Sequence, residues 1–195
     1  MGVHSVCIYC GSSLGNSSEY AEQASILART LARNAITIVY GGAKVGLMGV
    51  IADTALAEGG KVIGVIPQSL VEKEVAHQGL SKIHVVESMH ERKALMSELS
   101  EGFIALPGGV GTFEELFEVW TWAQLGFHSK PCGLLNISSY FDQLSAFIRH
   151  ATSEGFIKPQ HQEMLIVAAT VDELLAKFNT YKPPTVKKWI SQAEI

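Results

Sequence analysis

Apolar residues fall into short, nearly continuous runs at positions 3–9, 36–40, 61–66, 83–86, 103–106, 132–135 and 164–167. Runs of this length read as strands whose two faces are both covered. Between them, residues 18–33, 47–58, 89–100, 112–125, 140–154 and 171–178 carry apolar side chains at helical spacing. Strand and helix alternate from end to end, the pattern of an α/β domain built on a doubly wound parallel sheet of about seven strands with helices on both faces. Residues 1–182 are expected to form one domain, and residues 183–195, opened by Pro183 and Pro184, a polar tail.

A chain of 195 residues can bury roughly 70% of the surface its unfolded form exposes, so one core suffices without staples. The composition is 47% hydrophobic and 17% charged, with a net charge of −4 and the charges mixed along the chain. This balance calls for neither nucleic acid nor an anionic membrane as partner. No apolar run reaches the length of a membrane span and no secretory leader is visible, so the expected location is the cytoplasm. Cys7 and Cys10 form a C-x-x-C, but on a strand rather than at a helix start, and Cys132 is the one other cysteine. The seven histidines make no ligand-spaced cluster, so neither a metal nor a cofactor is expected.

In a doubly wound sheet, ligands bind at the carboxyl ends of the strands, near the point where the winding reverses. Three strand-to-helix loops there are rich in small residues: "YCGSSLGNSSE" from Tyr9, "YGGAKVGLMG" from Tyr40 and "LPGGVGTFEE" from Leu106. One such loop is only a tight turn; three on one sheet edge argue for a pocket lined by backbone. None matches a mononucleotide P-loop, since Lys44 precedes Gly46 instead of following it. Nor does "GVGTFE" match a dinucleotide fingerprint, because Glu114 occupies the third glycine position, where a carboxylate repels a pyrophosphate. The pattern suits a single phosphate held by the amides of Gly109, Val110, Gly111 and Thr112 at a helix N-terminus, with the Thr112 hydroxyl as a further donor.

Two charged positions stand out. Along the helix after this loop, Glu115 begins a largely apolar stripe with Val119 and Trp122, whereas Glu114, Glu118 and Thr121 share a polar one. Acids in a first helical turn complement the dipole, which for Glu114 leaves that account and a role at the site equally open and for Glu115 favours the site. In "ESMHERKALMSELS", Ser88 and Glu91 fit a capping box that starts a helix at Met89. Arg92 then falls amid Met89, Leu95, Met96 and Leu99, while His90, Glu91, Ser97 and Glu98 take the solvent side. A guanidinium taken from water needs an anion, either a structural carboxylate, a ligand phosphate or Glu115. Lys93 flanks the stripe, placed to reach a phosphate or to remain in solvent.

"PGGVGTFEE", "MHERKALM" and "YGGAKVGLMG", with "CGSS", "TWAQLGFHSKP" and "EGFIKPQH" elsewhere, resemble the LOG ("Lonely Guy") family of cytokinin riboside 5′-monophosphate phosphoribohydrolases. The likeness covers nearly the whole chain. It implies a Rossmann-like fold, a homodimer or larger assembly with the active site near the subunit interface, and hydrolysis of the N-glycosidic bond of adenosine-type nucleoside monophosphates. It makes Arg92 and Glu115 the catalytic pair. Glu74, Lys93, Gly109, Val110, Gly111, Thr112, Phe113, Glu114 and Thr121 become substrate contacts, with Ser12 and Gly42 lining the same pocket. One departure is Ala43, where many relatives carry a third glycine. Members were once labelled lysine decarboxylases, but that chemistry ordinarily needs a Schiff-base lysine, and Lys44 is the one loop candidate. The remaining alternative is a nucleotide-binding or carrier module without catalysis, since a fold of this kind binds phosphate with or without chemistry.

Overall fold

The computed structural model describes residues 2–71 and 76–185, over which strand and helix alternate. In chain order the elements are β1 (Ser5–Tyr9), α1 (Ser18–Arg33), β2 (Thr37–Tyr40), α2 (Gly46–Ala57), β3 (Val62–Pro67), α3 (Gln68–Val71), β4 (Lys82–Val86) and α4 (Met89–Glu98). There follow β5 (Phe103–Ala105), α5 (Val110–Leu125), β6 (Cys132–Leu135), a single 3₁₀ turn, α6 (Asp142–Ser153), α7 (Pro159–Gln162), β7 (Leu165–Ala168) and α8 (Val171–Thr180). The expected strands and helices are all present, and the short α3 and α7 are additions. Each of these two is four residues long, too short for an amphipathic period to be visible.

The strands form one parallel sheet in the order β4-β3-β2-β1-β5-β6-β7. Alternate side chains of each strand serve opposite faces. On one face Val6, Ile8, Ile38, Tyr40 and Ile104 pack beneath α1, α2 and α8, which contribute Leu27, Leu31, Ile51 and Leu174. On the other, Cys7, Tyr9, Val39, Val65, Phe103 and Leu134 meet Met96 of α4 and Leu116 and Val119 of α5. A smaller cluster joins Trp120 and Ala123 of α5 to Ile148 of α6 and Met164. This is the doubly wound α/β arrangement that the hydrophobic pattern predicts.

Where boundaries differ, local hydrogen bonds explain the shift. β7 starts at Leu165 rather than 164, because the Met164 N–H closes the turn after α7 on the His161 carbonyl at 3.2 Å. α6 starts at Asp142 rather than 140. Asn136 intervenes, accepting the Phe141 N–H at 2.7 Å through Oδ1 and donating to Asp142 Oδ1 at 2.7 Å.

Winding reverses between β1 and β5, which are neighbours in the sheet although their first successors lie on opposite sides. Pairing continues past both strand ends: Leu106 N donates to Tyr9 O at 2.9 Å and Gly11 N to Pro107 O at 3.1 Å. The first and third glycine loops are thereby held edge to edge at the crevice where ligands of such sheets bind.

Candidate active site

The second glycine loop closes on the first. Leu47 N donates to Gly11 O at 3.1 Å, and α2 begins directly against Ser12 and Ser13. The result is a cleft of about 320 Å³ at the carboxyl edge of the sheet, walled by Gly11, Ser12, Met48, Leu70, Met89 and Arg92 and floored by the start of α5. Larger hollows lie elsewhere among the described residues, one of about 410 Å³ beside Gly126 and Met164 and one of about 580 Å³ between α4, Trp122 and Lys130, and neither of these meets the glycine loops.

α5 opens with Gly109 as its N-cap, and its first recorded backbone bond runs from Phe113 N to Gly109 O at 3.2 Å. The N–H groups of Val110, Gly111 and Thr112 precede that bond and carry the positive end of the helix dipole. Gly111 and Val110 are exposed there, Val110 by 83%. Thr112 is buried, its hydroxyl packed against Gly108, so closely that a Cβ on Gly108 would collide with it and lie 2.8 Å from Gly11 N. The Gly108 carbonyl is in turn held by the Tyr140 hydroxyl, which donates to it at 2.5 Å. Tyr140 follows Ser138 and Ser139, two consecutive non-glycine residues at positive φ. Nothing in the local sequence marks Tyr140 as a support of this loop, because the contact spans 32 positions.

α4 starts as its capping box predicts: Ser88 Oγ accepts the Glu91 N–H at 3.1 Å. The reciprocal arm differs, since Glu91 Oε2 accepts from Glu87 N rather than from Ser88. The buried face also turns out rotated. Arg92, Lys93, Met96 and Ser97 are buried and Met89 is exposed, whereas the apolar stripe places Met89 inside and Ser97 in solvent. The rotation follows from polar contacts that hydrophobicity does not see: Ser97 O accepts Lys130 Nζ at 2.7 Å, and Lys93 is drawn toward α5.

Arg92 is 6% exposed. Its Nη2 donates to the Gly41 carbonyl at 3.3 Å, its Nη1 lies 3.7 Å from Met89 Sδ, and its buried Nε has no hydrogen-bond partner among the described residues. A Cβ on Gly41 would occupy the place of Nη2. The glycine therefore admits the guanidinium, and its carbonyl orients it. Gly42 is at positive φ and receives the His77 N–H on its carbonyl, but it does not line the cleft. Ala43 keeps a negative φ and buries its methyl in the core, so the local backbone accommodates the alanine.

Glu115 lines the cleft next to Arg92. Burial pushes the thiols of Cys7 and Cys10 far up and the Tyr9 phenol with them, and the negative charge of Glu115 adds to all three shifts. Glu115 is half-buried and shares the cleft with Cys10, just past the carboxyl end of β1. Glu114 also lines the cleft, and its Oε1 accepts a hydrogen bond from Lys93 Nζ at 2.5 Å; Glu118 Oε1 accepts from the same ammonium at 2.9 Å. Burial by itself would pull the Lys93 pKa down, but the two carboxylates outweigh it and hold the pKa above the ordinary lysine value. Phe113, half-buried, packs edge to face on Phe141 at 6.5 Å. Thr121 is exposed and does not line the cleft; it lies roughly 16 Å along α5 from Val110. Glu74 lies outside the described residues. Among the described residues no group of three potential ligands is placed to hold a metal ion, and no helix is long and apolar enough to cross a membrane.

Residues 48–178 match a family model described as "Possible lysine decarboxylase". The chain is 50% identical over 173 residues to a cytokinin riboside 5′-monophosphate phosphoribohydrolase of Rhodococcoides fascians, covering 88% of this chain and 87% of the relative. A relative of the same name from Arabidopsis thaliana is 46% identical over 91% of this chain and 78% of its own length. Among solved structures, a molybdenum cofactor carrier protein of Chlamydomonas reinhardtii superposes with a TM-score of 0.67 at 19% identity, over 88% of this chain and 93% of that one. A molybdenum cofactor binding protein of Rippkaea orientalis gives 0.67 at 17% identity, over 90% and 95%. At such identities the structural likeness speaks for the fold.

Proposed function

The chain belongs to the LOG family of cytokinin riboside 5′-monophosphate phosphoribohydrolases, and from that premise we propose that it hydrolyses the N-glycosidic bond of adenosine-type nucleoside 5′-monophosphates to free base and ribose 5-phosphate. The observation that carries this reading is Arg92, a buried guanidinium whose Nε has no hydrogen-bond partner among the described residues, set in a cleft floored by helix N-terminal amides and shared with Glu115.

The phosphate sits on the amides of Val110, Gly111 and Thr112, where the helix dipole and N–H donors favour an anion. Glu115 lies three to five residues further on, roughly 4.5–7.5 Å along the axis, a separation of the same order as that between the phosphate and the anomeric carbon of a ribose phosphate. Its carboxylate stabilises the cationic sugar that forms as the base departs, or takes the proton of the water that attacks C1′. Binding the remote phosphate fixes the sugar over that carboxylate, turning binding energy into orientation. Arg92, anchored by Gly41, presents charge to the same space. Met89 and Leu70 supply an apolar wall suited to the base and an N6 substituent. Lys44 is exposed and does not line the cleft, which leaves a decarboxylase reading without its lysine. The active assembly is a cytoplasmic homodimer with the site near its interface. Exposed Val110 and Phe117 on the α5 face favour that contact, and size-exclusion chromatography with light scattering tests it.

The decisive experiment compares base release from AMP and from isopentenyladenosine 5′-monophosphate, with the nucleosides and Glu115→Gln as controls. Release from the monophosphates alone, lowered about 10²- to 10⁴-fold by the substitution, is the expected result. Nucleotide bound without any base released would move the assignment to a carrier.

A further inference from the structure

Lys93 is 7% exposed, yet it is absent from the walls of the cleft, while Glu114, in front of it, is one of them. Its ammonium spends two of three donors on Glu114 and Glu118. These two carboxylates stand four residues apart on α5, a spacing at which like charges repel. Glu118 Oε2 is buried with no hydrogen-bond partner among the described residues, so its charge depends on the contact that Oε1 makes with Lys93. Glu114, by contrast, is half exposed and stands beside the amides that open α5. A bare carboxylate there would oppose the anion that those amides favour.

Resting on the hydrolase reading of this cleft, we propose that Lys93 is a positioning residue that serves phosphate binding indirectly, by neutralising Glu114 and Glu118 and holding Glu114 aside, rather than by touching the phosphate. Arg92 and Lys93 are adjacent in sequence but divide the work: Arg92 faces the cleft and Lys93 faces the helix that floors it. Adjacent positions on α4 point about 100° apart around its axis, which separates the two roles.

The two ways of using this lysine predict opposite results from removing its carboxylate partners. Steady-state kinetics with the preferred monophosphate and calorimetric binding of ribose 5-phosphate are measured for wild type, Lys93→Met, Glu114→Gln, and Lys93→Met combined with Glu114→Gln and Glu118→Gln. Under the proposal, Lys93→Met raises KM and the ribose 5-phosphate Kd about tenfold or more, with kcat changed far less. The combined variant returns both to within about threefold of wild type. Glu114→Gln alone, which keeps Lys93 and folds without stranding a buried charge, tightens ribose 5-phosphate binding about 3- to 10-fold. A combined variant as impaired as Lys93→Met, or weaker binding by Glu114→Gln, overturns the proposal and makes the contact direct. Should Lys93→Met fail to fold, Glu114→Gln still decides. Wild type that releases no base overturns the hydrolase reading, and the binding arm then judges Lys93 separately.

Discussion

Gly41→Ala tests the seat of Arg92 without replacing any residue that lines the cleft. The φ of Gly41 lies outside the left-handed region, so the backbone tolerates alanine there. The new methyl meets Nη2 of Arg92, the far end of a flexible side chain, and Met48 Sδ at an unstrained 3.4 Å. The guanidinium therefore moves and its bond to the Gly41 carbonyl is lost. A hydrogen bond from a charged donor is worth about 1.5–3 kcal/mol, which at about 1.4 kcal/mol per tenfold is a fall in kcat/KM of about 10- to 100-fold. Replacing glycine returns about 0.4–1 kcal/mol through the unfolded state, so Tm should fall by less than about 10 °C. Base release is measured alongside a thermal melt, for Gly41→Ala, Arg92→Ala and the pair. Because both changes act on one group, the double variant should be no worse than Arg92→Ala. Losses that multiply, or a folded Gly41→Ala with kcat/KM within twofold of wild type, would refute the reasoning.

Gly108→Ala drives a Cβ into Thr112 and against the backbone of Gly11, neither of which can yield cheaply; a loss of about 1–3 kcal/mol or more in urea titrations is expected, and an unchanged midpoint would contradict the close approach. Tyr140→Phe removes the donor to Gly108 O; about 1 kcal/mol of stability and a few-fold rise in KM for monophosphates should follow, and identical kinetics would deny that Tyr140 supports the loop. His128 supplies a pH dependence. Burial lowers its pKa to about 4, against the bond to the Val119 carbonyl and aided by Lys130, and Nδ1 accepts the Lys130 N–H at 3.1 Å. Its folded pKa lies below the unfolded one, so its contribution is whole above pH about 6.5 and is lost as pH falls toward 4, by up to about 3 kcal/mol. Stability of His128→Gln between pH 7 and 4.5 should fall less than that of wild type; parallel curves would count against the buried neutral imidazole.

The alternation of strands and helices was legible because it depends on local periods, and Val6, Ile8, Cys7 and Tyr9 divide between the two faces of the sheet as those periods require. Turns held by side chains were not. Asn136 displaces the start of α6 through two bonds that no hydrophobic pattern encodes, and the paired positive φ of Ser138 and Ser139 has no glycine to announce it. The order of the strands also came from outside local patterning, since only sheet pairing places β5 beside β1.

At the site, the same distinction separates Arg92 from its supports. A charge on an apolar stripe is visible within one helix, and so Arg92 could be singled out; Gly41 and Tyr140, which hold the guanidinium and the third glycine loop, contact them across 51 and 32 positions. Lys93 lies between these cases. Its position on α4 leaves solvent and phosphate equally open, and what draws it out of solvent is a property of a different helix. Glu114 and Glu118 repeat at a four-residue spacing, so their charges face one direction and cannot be buried together without a cation. They share the polar stripe of α5 in the sequence, and a half-buried pair of carboxylates requires a cation. On α4 that cation is the basic residue flanking Arg92, and the polar stripe of α5 thereby constrains how far α4 can rotate.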